Sequence, residues 1–196
     1  MTPAPTELPR YQPKSRADWR AWLEKNHATA AGVWFVYYKK ASAKERVSYE
    51  DAVEEALCFG WIDSVQRVVD AERTMLRFSP RKPKSAWSKL NKGRVGRLIR
   101  VGLMTPAGLA KIEAAKRDGS WSALDAVERL TMPADLKAAL AADPDAARHF
   151  AAFPPSSKKI ILGWIASAKR PETRAKRVSE TVRQAAKNLK ANHYRQ

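Results

Sequence analysis

Apolar residues along this chain recur first at helical spacing, then in short continuous or alternating runs, then at helical spacing again to the end. Trp19, Trp22 and Leu23 share one face of a helix that Ser15 can cap, and Gly32 stops that segment. Val33–Tyr38 is aromatic or β-branched throughout and predicts a strand buried on both faces. Ser48, with Asp51 three residues on, is a variant capping box opening a helix through Ala52, Val53, Ala56 and Leu57, which Gly60 ends. Two more strands are predicted over 62–69 and 74–78, with Asp70 to Arg73 as the hairpin turn. In the first of these neither alternating set is cleanly apolar.

From Trp87 onward the period is helical. Trp87, Leu90, Val95 and Leu98 fall near one face, and Lys89, Lys92 and Arg100 on another. Thr105 and Pro106 supply an N-cap and a first helical residue, for a helix through Leu109, Ile112 and Ala115 to Gly119. Two short Ala-rich helices are predicted over 133–140 and 144–153. Ser157 opens another, with Ile160, Ile161, Trp164, Ile165 and Ala168 on its stripe, and Pro171 starts the last, carrying Val178, Val182, Ala185 and Leu189. The predicted fold class is α+β: a small, mainly antiparallel three-stranded sheet with helices, followed by a helical C-terminal half. The expected division is a flexible lead over 1–14, an α+β portion over 15–104 and a helical portion over 105–196, packed as one compact unit.

Composition narrows this picture. A hydrophobic fraction of 44% with seven Trp argues for an ordered core despite 29% charged residues. Cys58 is the only cysteine, which excludes an intramolecular disulfide and a metal site of several thiolates. His27, His149 and His193 are scattered without metal-ligand spacing, so no metal or cofactor is expected. The N-terminus lacks the apolar run of a signal peptide and no eighteen apolar residues occur together, so the expected location is cytoplasmic.

Charge changes the picture most. From Arg73 to Ile112 there are eleven Lys or Arg residues and no Asp or Glu. From Lys158 to Gln196 there are eleven more against Glu172 and Glu180, within a net charge of +17. Concentrated charge of one sign implies an anionic partner: nucleic acid, an acidic membrane surface or an anionic small molecule.

Three segments could carry chemistry. In Cys58-Phe-Gly-Trp-Ile-Asp-Ser64 a helix gives way to a strand, and Trp61, Asp63 and Ser64 stand at the junction. There Asp63 is a candidate acid/base and Cys58 a candidate nucleophile; alternatively Cys58 and Trp61 fill core and Asp63 pairs with an arginine. In residues 77–92, Arg77, Arg81, Lys82, Lys84, Lys89 and Lys92 interleave with Phe78, Trp87, serines and two prolines. That mixture suits phosphate recognition, with Trp87 either stacking on a base or packing inward. In residues 168–177 basic residues including Arg174 and Arg177 surround a helix start. The positive end of the helix dipole makes them locally unfavourable without an anion nearby.

The strings CFGWIDS, RFSPRKPKSAWSKLNKGRVGRLIRVGLMTPAGLAKIEAAKRDG and SSKKIILGWIASAKRPETRAKRV resemble the bacteriocin-protection family, also called YdeI/OmpD-associated. The resemblance runs from about the first helix to about the last. It implies a bacterial protein linked by name to survival of bacteriocins and cationic antimicrobial peptides, and brings no reaction, cofactor or catalytic residue. The expectation is a cytoplasmic, non-enzymatic stress-protection protein that binds nucleic acid or another polyanion through Arg77, Arg81, Lys82, Lys84, Trp87, Lys89 and Lys92, with Arg174 and Arg177 as a second contact. The alternative is a small-molecule or nucleotide-like anion-binding protein or enzyme, with its site at the sheet edge around Trp61, Asp63, Ser64, Arg77 and Trp87.

Overall fold

The computed structural model describes residues 7–193, which form two compact units, one ending at Ser122 and the other beginning at Ala123. In the first unit β1 (Arg10–Tyr11), β2 (Val33–Tyr38), β3 (Trp61–Val68) and β4 (Arg73–Pro80) form one sheet in the order β1-β2-β4-β3. β2 pairs antiparallel with β4, β4 antiparallel with β3, and β1 parallel with β2. The sheet is therefore four-stranded and mixed, not three-stranded. The extra strand comes from the segment expected to be a loose lead: Arg10 and Tyr11 pair with Trp34 and Phe35, and Trp34 N–H donates to Pro9 O at 2.9 Å. Residues 1–6 of that lead lie outside the described residues.

Alternation assigns the two faces of the sheet. Val33, Phe35, Leu76 and Phe78 face α1 (Arg16–Asn26) and α2 (Tyr49–Cys58), burying Trp19, Leu23, Val53 and Leu57 between the layers. Trp34, Val36 and Met75 form a smaller cluster on the other face, so β2 is buried on both sides. The helix starts are chemically ordinary. The hydroxyls of Ser15 and Ser48 accept from the backbone N–H groups of Asp18 and Asp51. Behind α1 and α2 the buried Glu54 and Glu55 meet Arg16, Arg20 and Arg97, which compensates their desolvation.

Two further helices complete this unit, α3 (Lys89–Arg100), capped by Ser88, and α4 (Pro106–Arg117), capped by Thr105. Thr105 donates to Cys58 O from its N–H at 3.1 Å and from its hydroxyl at 2.7 Å, so the start of α4 satisfies a carbonyl left open at the end of α2. Gly108 allows this closeness, because a Cβ there would lie 2.2 Å from the same carbonyl oxygen. Docking of α4 on α2 explains why the division falls after Ser122 and not at 104/105.

The second unit consists of α5 (Asp125–Glu128), α6 (Ala134–Ala141), α7 (Pro144–Ala152), α8 (Pro155–Ala166) and α9 (Pro171–Ala186). Leu136, Leu140, Phe150, Ile161, Ile165, Val178 and Ala185 make its core. Among the described residues no helix is long and apolar enough to cross a membrane, and no cluster of His, Cys, Asp or Glu could hold a metal ion.

Candidate anion-binding site

The loop from β4 to α3 follows Pro80, whose strand pairs with Trp61 of β3. Arg81 N–H donates to Gly60 O at 2.9 Å, which turns the Arg81 side chain inward while the chain leaves the sheet. Arg81 is only 4% exposed. Its guanidinium stacks on the buried Trp87, with Cζ 3.8 Å from the ring centroid, and Nη2 donates to Ala86 O at 2.8 Å. Nε and Nη1 are buried and meet no acceptor among the described residues. Burial pushes this guanidinium down to about 10, with Asp63 acting in the opposite direction. At neutral pH it therefore remains a cation.

A cavity of about 60 Å³ adjoins Arg81 and Trp87, walled by Lys82, Lys84 and Ser85 from the loop and by Lys111, Asp118 and Ser120 from α4 and its end. Lys84 takes a left-handed backbone conformation, φ 60°, and its N–H donates to Asp118 Oδ2 at 3.1 Å. Ser120 N–H donates to Asp118 Oδ1 at 2.9 Å. Ser120 first, then the Lys84 N–H, hold the Asp118 carboxyl below its ordinary range. Both carboxylate oxygens are thus engaged in tying the loop to the end of α4.

The expected binding residues do not all converge here. Lys82, Lys84 and Lys89 are exposed, and none forms an ion pair among the described residues. Trp87 is 1% exposed, so it packs inward and cannot stack on a base. Lys92 lies 5.4 Å from the centroid of Trp121, which itself packs on Trp87. Arg77 pairs with Trp34, which sets it on the sheet face turned away from α1 and α2. In the second unit Arg174 grips Asp135 through Nε at 2.6 Å and Nη2 at 3.0 Å, which raises the arginine and lowers the aspartate. Arg177 caps the end of α8, donating to Trp164 O and to Ser167 Oγ, and lies over the Trp164 ring. Both are occupied within their own unit.

The alternative site at the sheet edge does not assemble. Asp63 is opposite Phe78, so it lies on the helix side of the sheet, whereas Arg77 lies on the other side. Trp61 is core, 1% exposed, with its indole N–H on His27 O at 3.1 Å. Ser64 donates to Arg77 O at 3.4 Å. Asp63 accepts from Tyr49 O–H at 2.9 Å, and burial together with that bond pushes the Tyr49 phenol up to about 12. Cys58 is fully buried; burial, then Glu55, push its thiol up to about 11, which removes it as a nucleophile at neutral pH. The signal that sequence reasoning missed is the inward Arg81, which composition alone groups with its exposed lysine neighbours.

Two family descriptions match the chain in tandem. Residues 11–111 match Domain of unknown function (DUF8412), and residues 129–188 match Bacteriocin-protection, YdeI or OmpD-Associated. The resemblance read from the sequence is thereby narrowed. The SSKKIILGWIASAKRPETRAKRV string falls within the bacteriocin-protection match, whereas CFGWIDS and most of the basic segment after it fall within the other. No curated protein and no solved structure is significantly similar to the chain. Matched over just over half its length, the chain belongs to the DUF8412 family, and its helical C-terminal unit carries the bacteriocin-protection, YdeI or OmpD-associated domain.

Proposed function

We propose that this protein binds a polyanion, nucleic acid foremost, through the exposed cations of the β4–α3 loop and the first turn of α3. It does so in the cytoplasm, as a binding protein rather than an enzyme, within the protective role that the description of its C-terminal domain names. The observation that carries this reading is that Lys82, Lys84 and Lys89 stand exposed, without ion pairs among the described residues, in a segment, residues 73–112, that holds no carboxylate. Such a surface binds phosphates by releasing their condensed counterions, without need of a base-reading element. With Trp87 buried, single strands and duplexes are bound through the backbone rather than by base stacking.

The test is retardation of nucleic acid across a salt series. The K82E/K84E/K89E triple is compared with K169E/K176E/K187E, which changes net charge equally from exposed positions of the second unit. The wild-type chain and the second triple should show a steep fall of affinity with salt, and the loop triple a much weaker and shallower one. Equal behaviour of the two triples would reduce the interaction to net charge and remove the loop as a binding surface.

A further inference from the structure

The cavity beneath the β4–α3 loop differs in kind from the exposed lysines around it. Arg81, which lines it, is almost wholly removed from water, with Nε and Nη1 buried without an acceptor and no carboxylate within ion-pairing distance among the described residues. A fold rarely keeps a buried cation without a counter-ion unless something else supplies the charge. Stacking on Trp87 offsets part of the cost and holds the guanidinium plane in place, yet a π face accepts none of its in-plane N–H groups. Lys82, Lys84 and Lys111 add three cations around the same space, against one carboxylate, Asp118, already committed to two backbone N–H groups.

We propose that this cavity receives one phosphate group carried as a monoester or free in solution, with Arg81 as its buried anchor. The proposal rests on the anion-binding reading and names the group that enters the loop. Size decides between kinds of phosphate. About 60 Å³ is room for a few waters or one compact oxyanion beside Arg81, while any sugar attached to that group would stay at the open mouth. An internal phosphodiester is flanked by sugars on both sides and carries a single charge. A monoester has one free side, three unesterified oxygens and a charge of about −1.5 to −2 at neutral pH, the better match to four cations around one small space. The chain end of a nucleic acid and inorganic phosphate share this chemistry.

The experiment compares two oligonucleotides of identical sequence, one with a 5′-phosphate and one with a 5′-hydroxyl. Binding to the full chain and to the Arg81→Met and Arg81→Gln variants is measured, together with the thermal shift from inorganic phosphate against chloride at matched ionic strength. The 5′-phosphate should tighten binding by about tenfold in the wild-type chain. Inorganic phosphate should erase that advantage and raise the melting temperature, and both variants should lose both effects while still binding the 5′-hydroxyl strand. Stabilisation by inorganic phosphate without any end preference would support the same cavity with free phosphate as its occupant. Should the variants not fold, the phosphate competition on the wild-type chain decides. Equal affinity for the two strands together with no phosphate-specific thermal shift overturns the proposal, even if both strands bind with a steep salt dependence and the polyanion reading stands. Phosphate stabilisation with neither strand bound has the opposite meaning: the cavity holds and the polyanion reading fails.

Discussion

The two basic segments of this chain carry the same number of Lys and Arg residues and use them differently. In the β4–α3 loop both oxygens of Asp118 are spent on backbone N–H groups, and among the described residues Lys82, Lys84 and Lys89 form no ion pair. In α9 two arginines serve the unit that contains them: Arg174 ties α9 to α6 through Asp135, and Arg177 completes the end of α8. Charge density announces the sign of a surface field. Whether a given cation can meet a partner depends on where neighbouring helix ends and carboxylates happen to fall, which is a property of the fold.

The sharpest way to break this comparison concerns Trp87. Trp87→Ala should cost about 3–5 kcal/mol of stability, as expected for a buried aromatic that supports its neighbours. Trp87→Leu, which removes the aromatic face and is measured where the chain remains folded, should leave affinity for single strands unchanged. A loss equivalent to about 1–3 kcal/mol would instead mark a stacked base.

Next in size is charge reversal at Lys82, Lys84 and Lys89. On duplex it should lower affinity about a hundredfold at low salt and flatten the log–log salt slope by about 2.7, at 0.9 per lost contact. Arg174→Gln with Arg177→Gln should change affinity by less than about twofold, because both side chains are engaged within their unit. Comparable losses from the two sets would erase the distinction between free and occupied cations.

Cys58 gives a probe of the sheet unit alone. Its thiol is raised from 9.0 to about 11, so the folded state favours the neutral form. The stability this contributes is fully present below pH 9 and is lost as pH rises through about 11. In the folded chain alkylation should be negligible at pH 8 and should accelerate in Trp87→Ala, whose cavity loosens the same core. Rapid alkylation of the wild-type chain at pH 8 would contradict the buried, neutral thiol.

The smallest effect belongs to Arg174→Ala. Its bond to Asp135 is partly exposed, at 34% and 43% for the two side chains, so the loss should be only about 0.5 kcal/mol by chemical denaturation.

What the sequence discloses here is what local chemistry fixes. Ser15, Ser48 and Thr105 cap helices where their side chains can reach N–H groups three residues on, and Pro106, Pro144 and Pro171 open helices because their missing N–H is not needed there. The double burial of Val33–Tyr38 follows from its unbroken apolar run. By contrast, β1 is two residues long, has no period of its own, and exists only because β2 offers an edge. Sequence proximity to one edge groups Asp63 with Arg77, and only the register through Phe78 shows that the sheet stands between them. The inward turn of Arg81 depends on Gly60 O, Ala86 O and the Trp87 ring, three partners that no window of sequence ranks above water.

The contact between Gly108 and the Cys58 carbonyl reaches further than its own neighbourhood. Lys111 and Asp118 are carried by α4 and the turn that ends it, so the distance at which α4 rests on α2 sets the width of the cavity beside Arg81. The helix behaves as a lever whose fulcrum has no side chain. A methyl group added at Gly108 would lift the near end against Cys58 O and carry the far wall with it, altering a site that the methyl never touches.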